Sequence, residues 1–192
     1  MLEAHPRDRT LSVDLVRLVD HVRTAETPDR PIGLSRHLVS SYAEAAMVLL
    51  EPWYPPPETP GEVVYEASPR RAVVHWRAQD AQVRGSYEDD HDAISAGAYA
   101  MVFAALIALG YRIPRRAFHG SGADYIVTRP GEPDNDFIRL EVSGLLQGSN
   151  ADVVARVREK LAQLERGRLA RPGLAAVARF ADSPRIALEP LR

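Results

Sequence analysis

Two acidic residues lie in apolar segments of the chain, where burial of a lone carboxylate is costly. Asp124 opens an otherwise apolar segment, and Glu141 stands between Leu140 and Val142. If these segments are paired strands, the two carboxylates lie near one edge of a sheet. Two such oxygen donors suit Mg²⁺ or Mn²⁺, which prefer oxygen ligands and retain water. The pair therefore predicts metal chemistry on a phosphate, in which the ion forms hydroxide and neutralises charge.

Each acid taken alone also has a purely structural interpretation. Asp124 follows the Gly-Ser-Gly turn at residues 120–122 and would cap that turn. Glu141 would pair with Arg139 or with an arginine across the strand. The metal site is one alternative for the pair, and these local roles are the other.

The predicted helix that follows Glu141 carries basic residues. Lys160 is the only lysine in the chain, so it cannot be ascribed to a lysine-rich composition. Arg156 and Lys160 share a helix face at i and i+4, with Gln163 nearby. The apolar stripe on the same helix must face the sheet, and it consists of Val153, Val157, Leu161 and Leu164. Lys160 flanks that stripe and, taken alone, would be a solvated cation.

The second half of the chain alternates apolar segments with turn residues in a way that predicts an α/β fold. A helix follows the acidic cluster at residues 88–92 and ends before Gly110. Strands are predicted at 111–118, 123–128 and 137–142, then a helix at 151–165 and a strand at 174–180. Short turns allow an antiparallel meander of the first three strands, and the last helix allows a parallel crossover.

The first half of the chain is predicted to be an N-terminal helical extension. Apolar residues between Leu11 and Val22 have mostly helical spacing, and Ser35 caps a second helix that runs to about Leu50. The Pro-rich residues 52–60 exclude a helix and favour an extended connector. Strand-like segments follow at 62–66 and 72–76. We therefore divide the chain into an extension with its connector, residues 1–60, and an α/β domain, residues 61–192.

Three short motifs in this arrangement resemble the PD-(D/E)xK restriction-endonuclease-like superfamily, and a group of bacterial proteins within it. They are Asp92-Ala-Ile-Ser-Ala-Gly-Ala98, Gly122-Ala-Asp-Tyr125 and Leu140-Glu-Val-Ser-Gly144. The resemblance implies a restriction-endonuclease-like core, with the order α-β-β-β-α-β in a mixed sheet flanked by helices. It also implies that Asp124 and Glu141 bind Mg²⁺ or Mn²⁺ and take part in catalysis.

The chain departs from that superfamily at two positions. The superfamily has a lysine two residues beyond the second acid, where this chain has Ser143. The bacterial group has an acid on the preceding helix, where this chain has Ser95. A hydroxyl cannot supply the positive charge that holds a phosphate. Some members carry the basic residue on the next helix instead, which makes Lys160 the catalytic candidate.

Other basic residues near these motifs are candidates for contact with nucleic acid. Arg115, Arg116 and Arg156 would track a phosphate backbone. His119 precedes the glycine turn and would act as a phosphate contact or as an acid or base. The strand arginines have an alternative role as solvated charges on an edge strand, where they discourage aggregation.

The overall composition is that of an ordinary globular protein with a net charge of −2 and a pI near 6.3. This balance argues against general coating of nucleic acid but allows a local basic surface. Cysteine is absent, which excludes disulfides, thiolate zinc sites and a cysteine nucleophile. The N-terminus lacks a signal peptide, and the apolar run at 96–110 is short for a bilayer, so we expect a cytoplasmic protein without a membrane partner.

Two functions remain open from the sequence. The first is a metal-dependent nuclease or nuclease subunit that acts on DNA, with an ATPase or helicase of a defence or repair system as partner. The alternative is a catalytically degenerate nuclease fold that binds protein or DNA in a larger complex. Motifs of other hydrolase classes, such as G-x-S-x-G or H-E-x-x-H, do not occur.

Overall fold

A computed structural model describes residues 10–87 and 89–191. Within them the chain is an α/β protein with a mixed sheet of eight strands, in the order β1-β3-β2-β8-β7-β6-β5-β4. The strands are β1 (Leu11–Asp14), β2 (Glu58–Tyr65), β3 (Ser68–His75), β4 (Arg112–Arg116), β5 (Tyr125–Thr128), β6 (Phe137–Leu145), β7 (Gly173–Arg179) and β8 (Arg185–Pro190). The helices are α1 (Arg36–Leu50), α2 (Ala81–Gly85), α3 (Asp90–Ala108) and α4 (Asn150–Arg166), with a 3₁₀ turn at Leu18–His21.

The predicted order of helix, three strands, helix and strand is confirmed by α3, β4, β5, β6, α4 and β7. β4 pairs with β5 and β5 pairs with β6, both antiparallel, as short connections allow. β6 then pairs parallel with β7, and α4 forms the crossover between them. The residues around the two acids thus lie on a meander followed by a parallel connection.

The helix predicted between Leu11 and Val22 is wrong. Leu11 and Val13 are buried while Ser12 between them is exposed, which is the two-residue period of a strand. This segment forms β1, paired parallel with β3, followed by the 3₁₀ turn. The N-terminal extension is therefore not wholly helical, because β1 and the first three residues of β2 lie within it and belong to the sheet. The apolar spacing here fits both periods, and pairing with β3 decides between them.

Two further elements were not predicted. α2 is a single short helix with Asp80 as its N-cap, and β8 is the strand that joins the two halves of the sheet. β8 pairs antiparallel with β7 and parallel with β2. It therefore ties the strands from the first half of the chain to the meander.

The helices pack on both faces of the sheet. α1 and α3 contribute to the larger apolar core, together with Leu140 and Val142 of β6. α4 covers the other face, where its buried residues contact Ala175 and Val177 of β7; these residues are Val153, Val157 and Leu164. The predicted apolar stripe of α4 is confirmed, so the phase of this helix relative to the sheet is set by burial.

Helix ends coincide with side chains that satisfy free backbone N–H groups. Ser35 accepts a hydrogen bond from Leu38 at the start of α1, which confirms the predicted cap. Asp89 accepts from the N–H of His91 at 2.8 Å before α3. The predicted acidic cluster surrounds this cap, although its Glu88 lies outside the described residues.

α4 begins with a capping box, in which Ser149 and Asp152 bind each other's backbone N–H. The Ser149→Ala variant is expected to lower the free energy of unfolding by about 1 kcal/mol, because the N–H of Asp152 loses its acceptor. Urea unfolding followed by circular dichroism measures this. Ser12→Ala, at an exposed strand serine, is the control. Equal stability of the two variants would contradict the capping role.

One described helix segment, His91–Ala108, is long and apolar enough by length and composition to cross a membrane. Of this segment 56% is buried inside the protein. Core helices of this kind meet the same criteria, and α3 packs against α1 and the sheet. The segment is therefore weak evidence for a membrane span.

Candidate functional site

Asp124 and Glu141 are brought together where β5 and β6 separate. The register pairs Tyr125 with Leu140, so Asp124, one residue before β5, stands opposite Glu141. β6 continues past this point without β5 beside it. The Asp124 carboxylate takes the place of the missing strand and accepts a hydrogen bond from the N–H of Val142 at 2.9 Å. The predicted proximity of the two acids is thus present in the structure.

Lys160 reaches this pair from α4, the helix that covers one face of the sheet. Its ammonium donates to Glu141 Oε1 at 2.8 Å and to Gln163 Oε1 at 3.1 Å. The Glu141 side chain is only 3% exposed and that of Lys160 is 19% exposed. Glu141 points to the face covered by α4, because it pairs with Ala175 of the α4 core. The cation therefore lies between a buried acid and solvent.

The two acids share a poorly solvated environment that disfavours their charges. Burial raises the pKa of Glu141, and the neighbouring Asp124 carboxylate raises it further, against the opposing effect of Lys160. Burial also raises the pKa of Asp124, although the Val142 N–H, the Lys160 charge and the Tyr99 hydroxyl favour its ionised form. A pair held in this way gains from any further cation placed between its oxygens.

Tyr99 of α3 is a part of the site that the sequence analysis missed. Burial and the Asp124 carboxylate raise the pKa of its hydroxyl. Its ring packs 5.0 Å from those of Tyr42 and Tyr125, whose hydroxyls lie 2.7 Å apart. The sequence feature that could have identified Tyr99 is its position, one helical turn after Ser95 within an apolar run. Ser95 itself is exposed.

The donor set fits a hard divalent cation. Asp124 and Glu141 supply carboxylate oxygens from neighbouring strands, and Mg²⁺ is commonly held by one or two carboxylates with waters and phosphate oxygens. Within residues 10–87 and 89–191 there is no group of three or more His, Cys, Asp or Glu residues placed to hold a metal. The rest of the coordination shell would therefore come from water, backbone carbonyls or a substrate.

The other predicted residues occupy the surroundings of the site and have partners of their own. Arg116 donates to the Tyr42 hydroxyl at 2.7 Å. Arg156 lies 3.4 Å from Glu159, and no contact joins it to Glu141 in the part of the chain described. His119 lines a separate groove.

Two more predicted positions have specific surroundings. Arg115 is exposed on the edge strand β4, which agrees with the alternative role, and its guanidinium lies 5.2 Å from the centroid of the Phe118 ring. Ser143 follows Glu141 on β6 and pairs with Val177 of β7. Ser143 therefore lies on the same face of the sheet as Glu141, where the superfamily's lysine would be.

Arg139 does not pair with Glu141, which corrects one of the local interpretations. Arg139 is 3% exposed, and its guanidinium donates to backbone carbonyls of Ser121, Leu164 and Arg171. Burial lowers the pKa of Arg139. Arg139 thus connects the turn before Asp124 to the end of α4, and it fixes the distance between these two segments.

Fold and site define an α/β protein in which the buried Glu141 and the partly buried Asp124 and Lys160 form a cluster where β5 ends beside β6. Comparisons of the chain with models of protein families, with curated proteins and with solved structures give no match.

Proposed function

We propose that this protein is a metal-dependent, nuclease-like protein that hydrolyses phosphodiester bonds in DNA. The observation that carries the proposal is the convergence of Asp124, Glu141 and Lys160 from three different elements. The order α3-β4-β5-β6-α4-β7 and its strand pairing support a restriction-endonuclease-like core. Within this proposal, Lys160 replaces the cation that Ser143 cannot provide.

The residues of the cluster have distinct roles in the proposed reaction. Asp124 and Glu141 hold Mg²⁺ or Mn²⁺, which when bound supplies charge neutralisation at the phosphate and an acidified water. The N–H of Val142 orients Asp124. Lys160, held by Gln163 on one side, presents its ammonium to a phosphate oxygen or to the attacking water. A cation in a half-buried site acts on developing negative charge more strongly than one in water.

The proposal extends to the cellular setting. A cytoplasmic protein of a DNA-defence or repair system would use its remaining surface to bind a partner such as an ATPase, without a membrane. The arginines at 115, 116 and 156 and His119 would contact the DNA backbone.

A second candidate function is binding without cleavage. It is favoured by the small donor set, since Ser95 and Ser143 stand where an acid and a lysine are expected. In that case the nuclease fold holds a protein or DNA partner, and the buried pair of Glu141 and Lys160 is only structural.

Calorimetry with Mn²⁺ and Mg²⁺ tests the metal site directly. We expect wild type to bind Mn²⁺ and the Asp124→Asn/Glu141→Gln variant to give no binding heat, because both carboxylates have become neutral amides. The matched control is Glu26→Gln/Asp29→Asn, which removes two exposed carboxylates elsewhere. Equal binding by both double variants, or none by wild type, would contradict the proposal and favour the second candidate.

A further inference from the structure

A groove of about 440 Å³ contains none of the cluster residues in its lining and is not explained by the proposed metal site. One wall is the loop between β4 and β5, and the other is the segment after α4. The lining residues are Phe118, His119, Gly120, Ser121, Arg168 and Leu169. The position of Gly120, with a φ of 81°, has no neighbouring atom within 4 Å of an added Cβ, so the groove is open there. Its volume lies in the range of about 300–1,000 Å³ that is usual for ligand sites.

The groove combines an exposed aromatic ring with positive charge. Phe118 is 47% exposed, which is unusual for a large apolar side chain in this protein. The Arg115 guanidinium lies 5.2 Å from its ring centroid and 5.7 Å from that of Phe137. Arg171 lies 5.1 Å from the Phe137 ring. These two arginines are outside the groove lining, in which the basic residues are Arg168 and His119. The described lining includes no acidic residue, so the charge complements a phosphate.

The two walls of the groove continue into the candidate site. The loop that carries Phe118 leads through Gly122 to Asp124, and the other wall follows the helix of Lys160. A Cβ at Gly122 would lie 2.8 Å from the Gly167 Cα, so only glycine permits this close approach of the walls. Arg139 bridges the same walls by donating to the carbonyls of Ser121 and Arg171. The two walls of the groove are thus held close to each other.

We propose that this groove binds an unpaired nucleotide of single-stranded DNA. The base stacks on Phe118, and Arg168 and His119 contact the adjoining phosphate. Aromatic rings bind bases of any sequence in this way, while a base inside a duplex is already stacked on its neighbours. The inference rests on the proposed function for its choice of DNA, and it specifies that the substrate has a single-stranded segment next to the cleaved bond.

Equilibrium binding without metal tests the groove separately from cleavage. Fluorescence anisotropy in EDTA would use labelled oligothymidylate, alone and paired with oligodeoxyadenylate. We expect tighter binding of the single strand by wild type, and a loss of about tenfold in Phe118→Ala, within the range for one base stacked on an aromatic ring. Phe118→Trp should restore binding. Val154→Ala, at another exposed apolar residue, should leave it unchanged.

The outcomes separate this inference from the proposed function. Equal affinity of Phe118→Ala and Val154→Ala, or equal binding of duplex and single strand, would contradict nucleotide binding in the groove even if DNA is cleaved. Conversely, the Asp124→Asn/Glu141→Gln variant should retain single-strand binding in EDTA. Loss of cleavage with intact binding in that variant supports both. An intact Phe118 effect in a wild type that never cleaves supports the groove and removes only the nuclease proposal.

Discussion

Replacement of Lys160 by methionine is expected to lower metal-dependent DNA cleavage by about 10²–10³-fold, the usual effect of removing one preorganised charged or hydrogen-bonding group. Methionine keeps much of the aliphatic chain but removes the ammonium that lies 2.8 Å from Glu141. The reaction would then lack the cation that the structure places beside Glu141. Single-turnover cleavage of plasmid and single-stranded circular DNA measures the effect.

Two control variants separate the role of this charge from a general effect on α4. Arg158→Met makes the same change in charge at an exposed position of the helix and should leave cleavage unchanged. Lys160→Arg keeps a cation and should recover part of the rate. Full activity of Lys160→Met would show that the pair of Glu141 and Lys160 is structural. The same loss in Arg158→Met would assign the effect to the net charge of the helix.

Replacement of Arg139 by methionine is expected to lower the free energy of unfolding by about 4 kcal/mol, because several buried carbonyls lose a charged donor at once. The acceptors belong to Ser121, Leu164 and Arg171, and the arginine is almost fully buried. Methionine fills similar volume but offers no hydrogen. Urea unfolding monitored by tryptophan fluorescence and circular dichroism measures the change.

Arg71→Met is the matched control for this stability effect. Arg71 lies on β3 and is exposed, so the substitution removes the same charge from a strand without burying an unsatisfied carbonyl. A change of less than about 0.5 kcal/mol is expected for such a surface position. Similar losses in both variants would mean that Arg139 contributes by net charge, and that its buried hydrogen bonds are weak.

Local sequence patterns were sufficient for the part of the chain that carries the site. Apolar segments bounded by glycine and proline predicted β5, β6 and β7, and the apolar stripe with its serine predicted α4. β5 and β7 are continuously buried apolar segments and α4 has one apolar stripe, so local burial and secondary structure agree. The two acids stood out because an acid within an apolar strand requires a compensating partner.

The same reasoning failed where two periods fit one segment. Leu11 to Val22 contains enough apolar residues for either a helix or a strand, and its pairing with β3 involves residues about sixty positions away. β8 is short, and local composition does not reveal that it joins β2 to β7. Strand pairing between distant segments is a property of the assembled sheet, which local spacing does not contain.

The sequence by itself determined the α/β class, the order of elements from α3 to β7, and the two acids as the unusual groups within it. Only the tertiary structure decided which partners those acids have. Lys160 is 19 residues from Glu141 in sequence, and it reaches the acid because burial of Val157 and Leu164 sets the rotation of α4. Arg139, two residues from the same acid, is taken up by backbone carbonyls instead. Side-chain partners depend on the rotation of α4 about its axis and on the point where β5 stops pairing with β6. Both are set by packing between segments that are distant in the chain.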